Sequence, residues 1–375
     1  MANEQLYQER LSRINKAINR EPVDRIPLIF MGSATMPRQM GMTMAEYVYN
    51  PAKSIDAALD YMDKLEVDGC NVSPWYRPDV GLTSLWLSHI KMPGRELPDD
   101  SLWQVEEKEV MTVEDYDTII NQGFEAFMFQ HLPKVIDMQI FQEGMAQAGE
   151  YNPIMFKKFI EQGLVILCGG ITSIPFEFLC GGRSMMPFFM DLYRIPEKVK
   201  EVLDVMVPAC IGVALQMVEQ SGIRRVWVGG WRSASALLAP KLWDEFVFPY
   251  FQQVVSALAE KDVISVLHLD QDWTRDLARL RELPAGKCIL NPDGMTDIRK
   301  AKEILGDHMA ILGDVPPGLL ASGTPDDVYN YVRDLIKDIG PQGLLLCPGC
   351  DAPINAKGEN MVAMYEAGRE FGAAT

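Results

Sequence analysis

Positive charge is scarce in this chain: 35 Lys and Arg stand against 52 Asp and Glu, a formal net charge of −17. So acidic a surface repels phosphate backbones and anionic lipid headgroups. That argues against general nucleic-acid binding and against docking onto a membrane. Long apolar runs are missing as well. The richest stretch, 163–174, is broken by glycines and falls short of the roughly 18 residues that span a bilayer. The opening residues MANEQLYQERL hold no apolar core of a secretory signal, which predicts a cytoplasmic protein. Cysteines are few and odd in number, 7 in all, so free thiols and metal ligands are expected rather than a disulfide framework. With only 4 histidines, each can be weighed singly.

What the chain does have is core. Hydrophobic residues make up 48% and charged residues 23%, which excludes a disordered chain, a collagen and a coiled coil. Its 375 residues allow two or three domains of ordinary size, or one large α/β barrel. Leu6, Leu11, Ile14 and Ile18 recur at helical spacing, so the first 24 residues read as a helix.

Short apolar runs then alternate with amphipathic segments. Strands are expected at 26–31, 69–73, 164–168, 225–228, 263–268, 287–291, 309–313 and 343–347. Most are continuously apolar, as parallel strands covered on both faces are. Helices are expected at 196–220, 239–261, 274–283, 297–305, 325–339 and 358–371. Eight strands with helical crossovers suggest a (β/α)8 TIM barrel as a single domain over 1–375. A doubly wound sheet is the alternative, but no dinucleotide glycine fingerprint follows the first strand.

The stretch 74–162 is too long for a simple crossover. Segments 82–90 and 103–110 read as a hairpin around Pro98-Asp99-Asp100-Ser101, and 112–162 reads as helical. This insertion is expected to cap the barrel mouth.

A barrel carries its chemistry at the C-terminal ends of its strands. The fifth expected strand ends Val266-Leu267-His268-Leu269-Asp270, where His268 and Asp270 share a face because they are two apart. The eighth runs into Cys347-Pro348-Gly349-Cys350-Asp351. An imidazole, a carboxylate and one or two thiols suit Zn2+, and three protein ligands leave a position open. The plainer alternatives are a hydrogen-bonded structural histidine and buried thiols. A Cys347-x-x-Cys350 redox pair is a third, although no thioredoxin-like pattern surrounds it. His89, His131 and His308 have no partner at ligand spacing, and Asp293 reads as a turn residue.

At these residues the sequence resembles the uroporphyrinogen decarboxylase superfamily. The resemblance runs from Glu9-Arg10-Leu11 and Asn19-Arg20-Glu21-Pro22-Val23-Asp24-Arg25-Ile26-Pro27, through Leu238-Ala239-Pro240, Phe246-Val247-Phe248-Pro249-Tyr250 and Gly323-Thr324-Pro325-Asp326-Asp327-Val328, to Gly349-Cys350-Asp351-Ala352-Pro353 and Glu359-Asn360. It covers nearly the whole chain and implies a (β/α)8 barrel. One branch of the superfamily decarboxylates porphyrinogens. The other contains zinc methyltransferases that work with corrinoid proteins.

The decarboxylase branch carries an arginine-rich loop after its first strand, where this chain has a single arginine, Arg38, in 31–40. That branch's aspartate after the second strand is replaced by Ser73-Pro74-Trp75-Tyr76, and its late histidine by Cys350. The methyltransferase branch has His-x-Cys and a later Gly-Cys-x-x-Ala-Pro as zinc ligands. His268 and Cys350 match, while Asp270 stands where the first cysteine is expected.

A carboxylate in place of a thiolate makes a harder zinc that suits an oxygen ligand. The implied activity is therefore removal of a methyl group from an O-methyl donor and its transfer to the Co(I) corrinoid (cobalamin) of a partner protein. Asp270 and Asp314 are the catalytic candidates. Met31, Trp75, Tyr76, Trp231 and Arg232 are candidates for the substrate wall, with Arg183 as a second arginine near it. Methionines and aromatics suit a methoxylated aromatic of guaiacol, vanillate or veratrole type. The chain has no Asp-x-His-x-x-Gly cobalamin signature, so the corrinoid is expected on another protein. A homodimer is compatible with this reading. Three further readings stay open: methyl transfer from methylcobalamin to a thiol, porphyrinogen decarboxylation, and a binding module on an inactive barrel.

Overall fold

The computed structural model describes residues 2–373. Eight parallel staves form a (β/α)8 barrel. They are β1 (Ile29–Phe30), β2 (Gly69–Cys70), β3, β4 (Arg225–Gly230), β5 (Ile264–Leu269), β6 (Cys288–Pro292), β7 (Ala310–Leu312) and β8 (Leu344–Leu345). β3 runs in two pieces, Val165–Ile166 and Gly170–Ser173. The first piece pairs with β2 and the second with β4, so the stave bends across Cys168-Gly169 to serve both neighbours. The ring closes where Ile29 N–H donates to Leu346 O at 2.8 Å and Leu346 N–H donates to Pro27 O at 2.9 Å.

Alternation along the strands sorts their side chains into two cores. Ile29, Met31, Val165, Leu167, Trp227, Val266, Ile289, Leu312, Leu345 and Cys347 fill the barrel interior. Val226, Val228, Leu267, Leu269 and Leu290 face the surrounding helices. The interior is packed rather than a pore. The helix Ala2–Ile18 plugs its base: Ile14, Ala17 and Ile18 join the interior cluster. Arg13 and Arg25 of this end clasp Asp68, which is fully buried just before β2, at 2.7 and 2.6 Å.

Several expected helices differ in detail for local reasons. The 239–261 segment is two helices, Pro240–Phe246 and Phe248–Glu260, because Pro249 has no N–H to bond into the preceding turn. Thr274–Glu282 is 3₁₀, with Asp276 outside helical geometry. Pro196–Ser221 corrects the expectation that no segment is long and apolar enough to cross a bilayer. Its buried stripe of Val199, Val202, Leu203, Met206, Cys210, Ala214 and Val218 follows helical spacing, and the helix packs on the second piece of β3 and on Phe248–Glu260.

Between β2 and β3 the expected hairpin is much shorter than 82–90 with 103–110. Only Ile90–Lys91 and Gln104–Val105 pair, antiparallel. Residues 82–86 belong instead to the helix Pro78–Trp86, where Pro78 is preset for a first helical turn. Three more helices, Val113–Gln122, Phe124–Val135 and Met138–Glu161, complete the insertion.

Candidate metal centre

The period of two along β5 points Val266 and then His268 inward, and Asp270 follows one step past the strand end. His268 is 1% exposed. Its Nδ1 lies 2.9 Å from Asn291 Oδ1 on β6, the register partner of His268. Asn291 is itself oriented from two sides: Nδ2 donates to Leu312 O at 2.8 Å, and Oδ1 accepts from Asn71 Nδ2 at 3.0 Å. An oxygen therefore faces the imidazole, so Nδ1 carries the hydrogen and the Nε2 lone pair is free.

That lone pair faces Asp270 Oδ1 at 3.1 Å. Oδ1 is buried and has no hydrogen-bond partner among the described residues. Two acceptors so close are stable only with positive charge between them. The Cys350 sulfur completes the group, and the three ligand atoms lie within 4.8 Å of one another. Ligand atoms on a tetrahedral zinc stand roughly 3–4 Å apart, so small rotations close the set. With no metal bound a proton takes that place on Nε2: burial works to lower the His268 pKa, but the Asp270 carboxylate and the Cys350 sulfur outweigh it and hold the imidazole well above the ordinary histidine range. The donor set thus favours a cation at its centre and fits a divalent metal ion.

Each ligand is fixed by its backbone. Asp270 N–H donates to Gly230 O at 3.0 Å, and Trp273 Nε1–H donates to Asp270 O at 2.7 Å. Gln271 sits at φ 67, held by its N–H donating to Asp293 Oδ2 at 2.7 Å. Cys350 lies between two anchors. Asp351 accepts from Ser33 N–H at 2.7 Å and from Ala34 N–H at 3.0 Å, and burial pushes its carboxyl up to about 6. Gly349 packs so tightly on the loop after β6 that a Cβ there would meet the Asp293 carbonyl carbon at 2.6 Å. Only glycine lets the last loop come this close to β5 and β6.

An aromatic wall borders the centre. The Trp227 ring stacks on His268 with centroids 4.8 Å apart. Trp231 lies 5.4 Å from Trp227, and Trp86 of the insertion meets Trp231 edge-on at 5.0 Å. Met31 is buried beside Asn71, its sulfur 3.4 Å from Nδ2. Tyr76 is half-buried, and burial together with the nearby Asp351 raises its phenol.

Packing bears on four sequence expectations. Trp75 is fully buried with Nε1–H donating to Val48 O at 3.2 Å, so it is core rather than substrate wall. Arg232 is paired with Glu107 at 2.7 Å and donates to Cys180 O, so its guanidinium is engaged within the protein. Arg183 is likewise committed, to Asp191 at 2.9 Å and to Glu109. Asp314 is 2% exposed and accepts from Tyr331 Oη of the crossover helix Pro325–Ile339 at 2.8 Å. Burial pushes its carboxyl up to about 7, and it does not join the His268 group. Cys347 is buried in the barrel interior and also stays outside that group. Sequence reading missed Asn291, Asn71, Trp227 and Glu177. The first had a visible signal: alternation along 287–291 already turns it inward beside Ile289.

Residues 140–371 match the family profile described as Uroporphyrinogen decarboxylase (URO-D). A methylcobamide:CoM methyltransferase MtbA of Methanosarcina acetivorans is 26% identical over 185 residues, 49% of this chain and 52% of that protein. A uroporphyrinogen decarboxylase of Syntrophotalea carbinolica is 22% identical over 206 residues, 48% of this chain and 58% of that protein. The chain thus spans only about half the length of these two relatives in the matched stretches. The MtbA of Methanosarcina mazei is 25% identical over 365 residues, 96% of this chain and 97% of that protein. Among solved structures, a methyltransferase from Methanosarcina mazei superposes with a TM-score of 0.69 at 18% identity, covering 96% of this chain and 98% of that one, and it supports the barrel fold.

Proposed function

This chain belongs to the uroporphyrinogen decarboxylase family, and on that footing we propose that it is a corrinoid-dependent methyltransferase whose zinc site acts on an O-methyl donor. The observation that carries the reading is the donor set itself: His268, Asp270 and Cys350 brought within 4.8 Å, with an orphaned carboxylate oxygen 3.1 Å from the imidazole nitrogen. When bound, zinc supplies a Lewis acid that stabilises charge developing on the donor oxygen.

The chain's own residues set up the rest. Asn291 and Asn71 hold His268 in the tautomer that presents Nε2. Asp270 supplies the hard ligand that favours oxygen over sulfur. Trp231 and Tyr76 offer flat walls that suit a methoxylated aromatic. In the reaction the O–CH3 bond breaks and the methyl carbon passes to the Co(I) corrinoid carried by a separate protein. The oxygen keeps the bonding pair and takes up a proton from solvent.

The relatives' printed activity favours a second reading, in which methyl flows from a methylcobamide to a thiol. One assay separates the two. Zinc-loaded protein is given free Co(I) cobalamin with a panel of methoxybenzenes, or methylcobalamin with thiols. Methylcobalamin formation in the first arm is expected. Turnover confined to the second arm overturns the O-methyl reading.

Asn291→Ala tests the outer support of the site. It removes the acceptor that fixes His268, so zinc affinity should fall by about 10–100-fold, measured by competition with a chromogenic chelator. Unchanged affinity means that the imidazole is positioned by packing on Trp227 alone.

A further inference from the structure

One buried acid outside the donor set has a clear structural task. Glu177 is fully buried on the helix Pro175–Gly182, directly after β3. Its carboxylate accepts from three consecutive backbone N–H groups of the loop after β4. Trp231 and Ser233 donate to Oε1 at 2.7 and 2.8 Å, and Arg232 donates to Oε2 at 3.1 Å. A carboxylate is costly to bury, and these charge-assisted bonds offset that cost only while the loop keeps this one path.

The path matters because of where it lays the Trp231 ring. A Cβ on Gly229 would meet Trp231 Cζ2 at 2.4 Å, so the indole lies directly over Gly229. Gly229 is the register partner of His268 on the adjoining strand. The indole therefore stands at the level of the metal ligands, against Trp227, which itself stacks on His268.

We infer that Glu177 is the positioning residue of the aromatic wall. By clamping the 231–233 backbone it sets the Trp231 indole beside His268, and it thereby selects a methyl donor with a flat ring that packs on that indole. The ring selection rests on the proposed function. The clamp on Trp231 does not.

The test compares Glu177→Leu, Glu177→Gln and Gly229→Ala with Trp231→Phe as the reference for the indole's spectroscopic signature. Near-UV circular dichroism reads the Trp86–Trp231–Trp227 coupling, and zinc content reads the donor set. Glu177→Leu should lose the bands that Trp231→Phe loses while keeping wild-type zinc. Its KM for veratrole with Co(I) cobalamin should rise up to about tenfold, with kcat little changed, since a displaced aromatic contact removes uniform binding. Glu177→Gln keeps the oxygen that serves Trp231 and Ser233, so it should restore most of the signal. Its amide nitrogen meets Arg232 N–H donor to donor, so part of the signal should still be lost, and that partial loss carries the test should the leucine variant fail to fold. Gly229→Ala should reproduce the spectral loss with Glu177 intact. A purely structural role would lower the melting temperature and leave both the Trp231 bands and KM where they were, and that result overturns the inference. Wild-type protein that demethylates no donor removes the proposed function alone, because the dichroism still decides the clamp.

Discussion

Alanine at His268 will leave the purified chain without stoichiometric zinc and will lower methyl transfer by at least about a hundredfold, the upper end of what losing a mere outer-shell partner costs. Among the described residues, only Asp270 and Cys350 group with His268 at ligand distance. His268 is 1% exposed, and its neighbours inside the barrel are Trp227 and the two asparagines that bond it or its partner. Cys350→Ala is expected to behave alike, because Asp351 and Gly349 hold that backbone in place and the thiol is removed from the donor group. Cys347→Ala is the control. That thiol is fully buried in the barrel interior, outside the donor group, and its removal should leave zinc unchanged. Metal analysis of the three variants decides the matter. Full zinc in His268→Ala removes the centre, and loss of zinc in Cys347→Ala shifts it toward the barrel interior. Asp270→Cys adds the chemical arm: a softer donor set should raise turnover with thiols relative to methoxybenzenes.

The barrel was legible because its staves are short apolar runs between strong helical patterns, and every expected strand coincides with a stave. Their lengths were less legible. β1, β2 and β8 pair over only 2 residues each, since the apolar run continues where the ladder does not. The donor set was legible through two rules that act at short range, the alternation from His268 to Asp270 and the convergence of strand ends. What failed was everything that depends on a distant partner. Arg232 looked free because Glu107 lies 125 positions away, and Trp75 looked like a wall because its acceptor, Val48 O, comes from the separate helix Met44–Tyr49. Glu177 carried no visible sign, since its partners are backbone N–H groups after the next stave. The hairpin was overextended because a short apolar run such as 82–87 has no period of its own, and Pro78 decides it for helix.

Asp68→Ala should destabilise the fold by about 3–5 kcal/mol, the cost of stripping the counter-charge from a buried cluster. Asp68 has no exposed side-chain surface. It accepts from Arg25 at 2.6 and 2.8 Å, from Arg13 at 2.7 Å and from Leu28 N–H at 2.8 Å, with Arg10 at 3.8 Å. Without it three guanidiniums converge on one another, and only Arg13 retains a carboxylate, Asp24. The arginines are partly exposed, between 14% and 22%, so solvent will screen some of the repulsion and place the result toward the lower bound. Asp68→Asn should cost less, because it keeps an acceptor for Leu28 N–H and Arg25. Urea unfolding at constant m-value measures both. The folded fraction of either variant should keep wild-type zinc, since the clasp joins the N-terminal helix to the barrel base and the donor set stands at the opposite end. A loss under about 1 kcal/mol in Asp68→Ala would mean that burial of Ile14, Ala17 and Ile18 alone seats that helix.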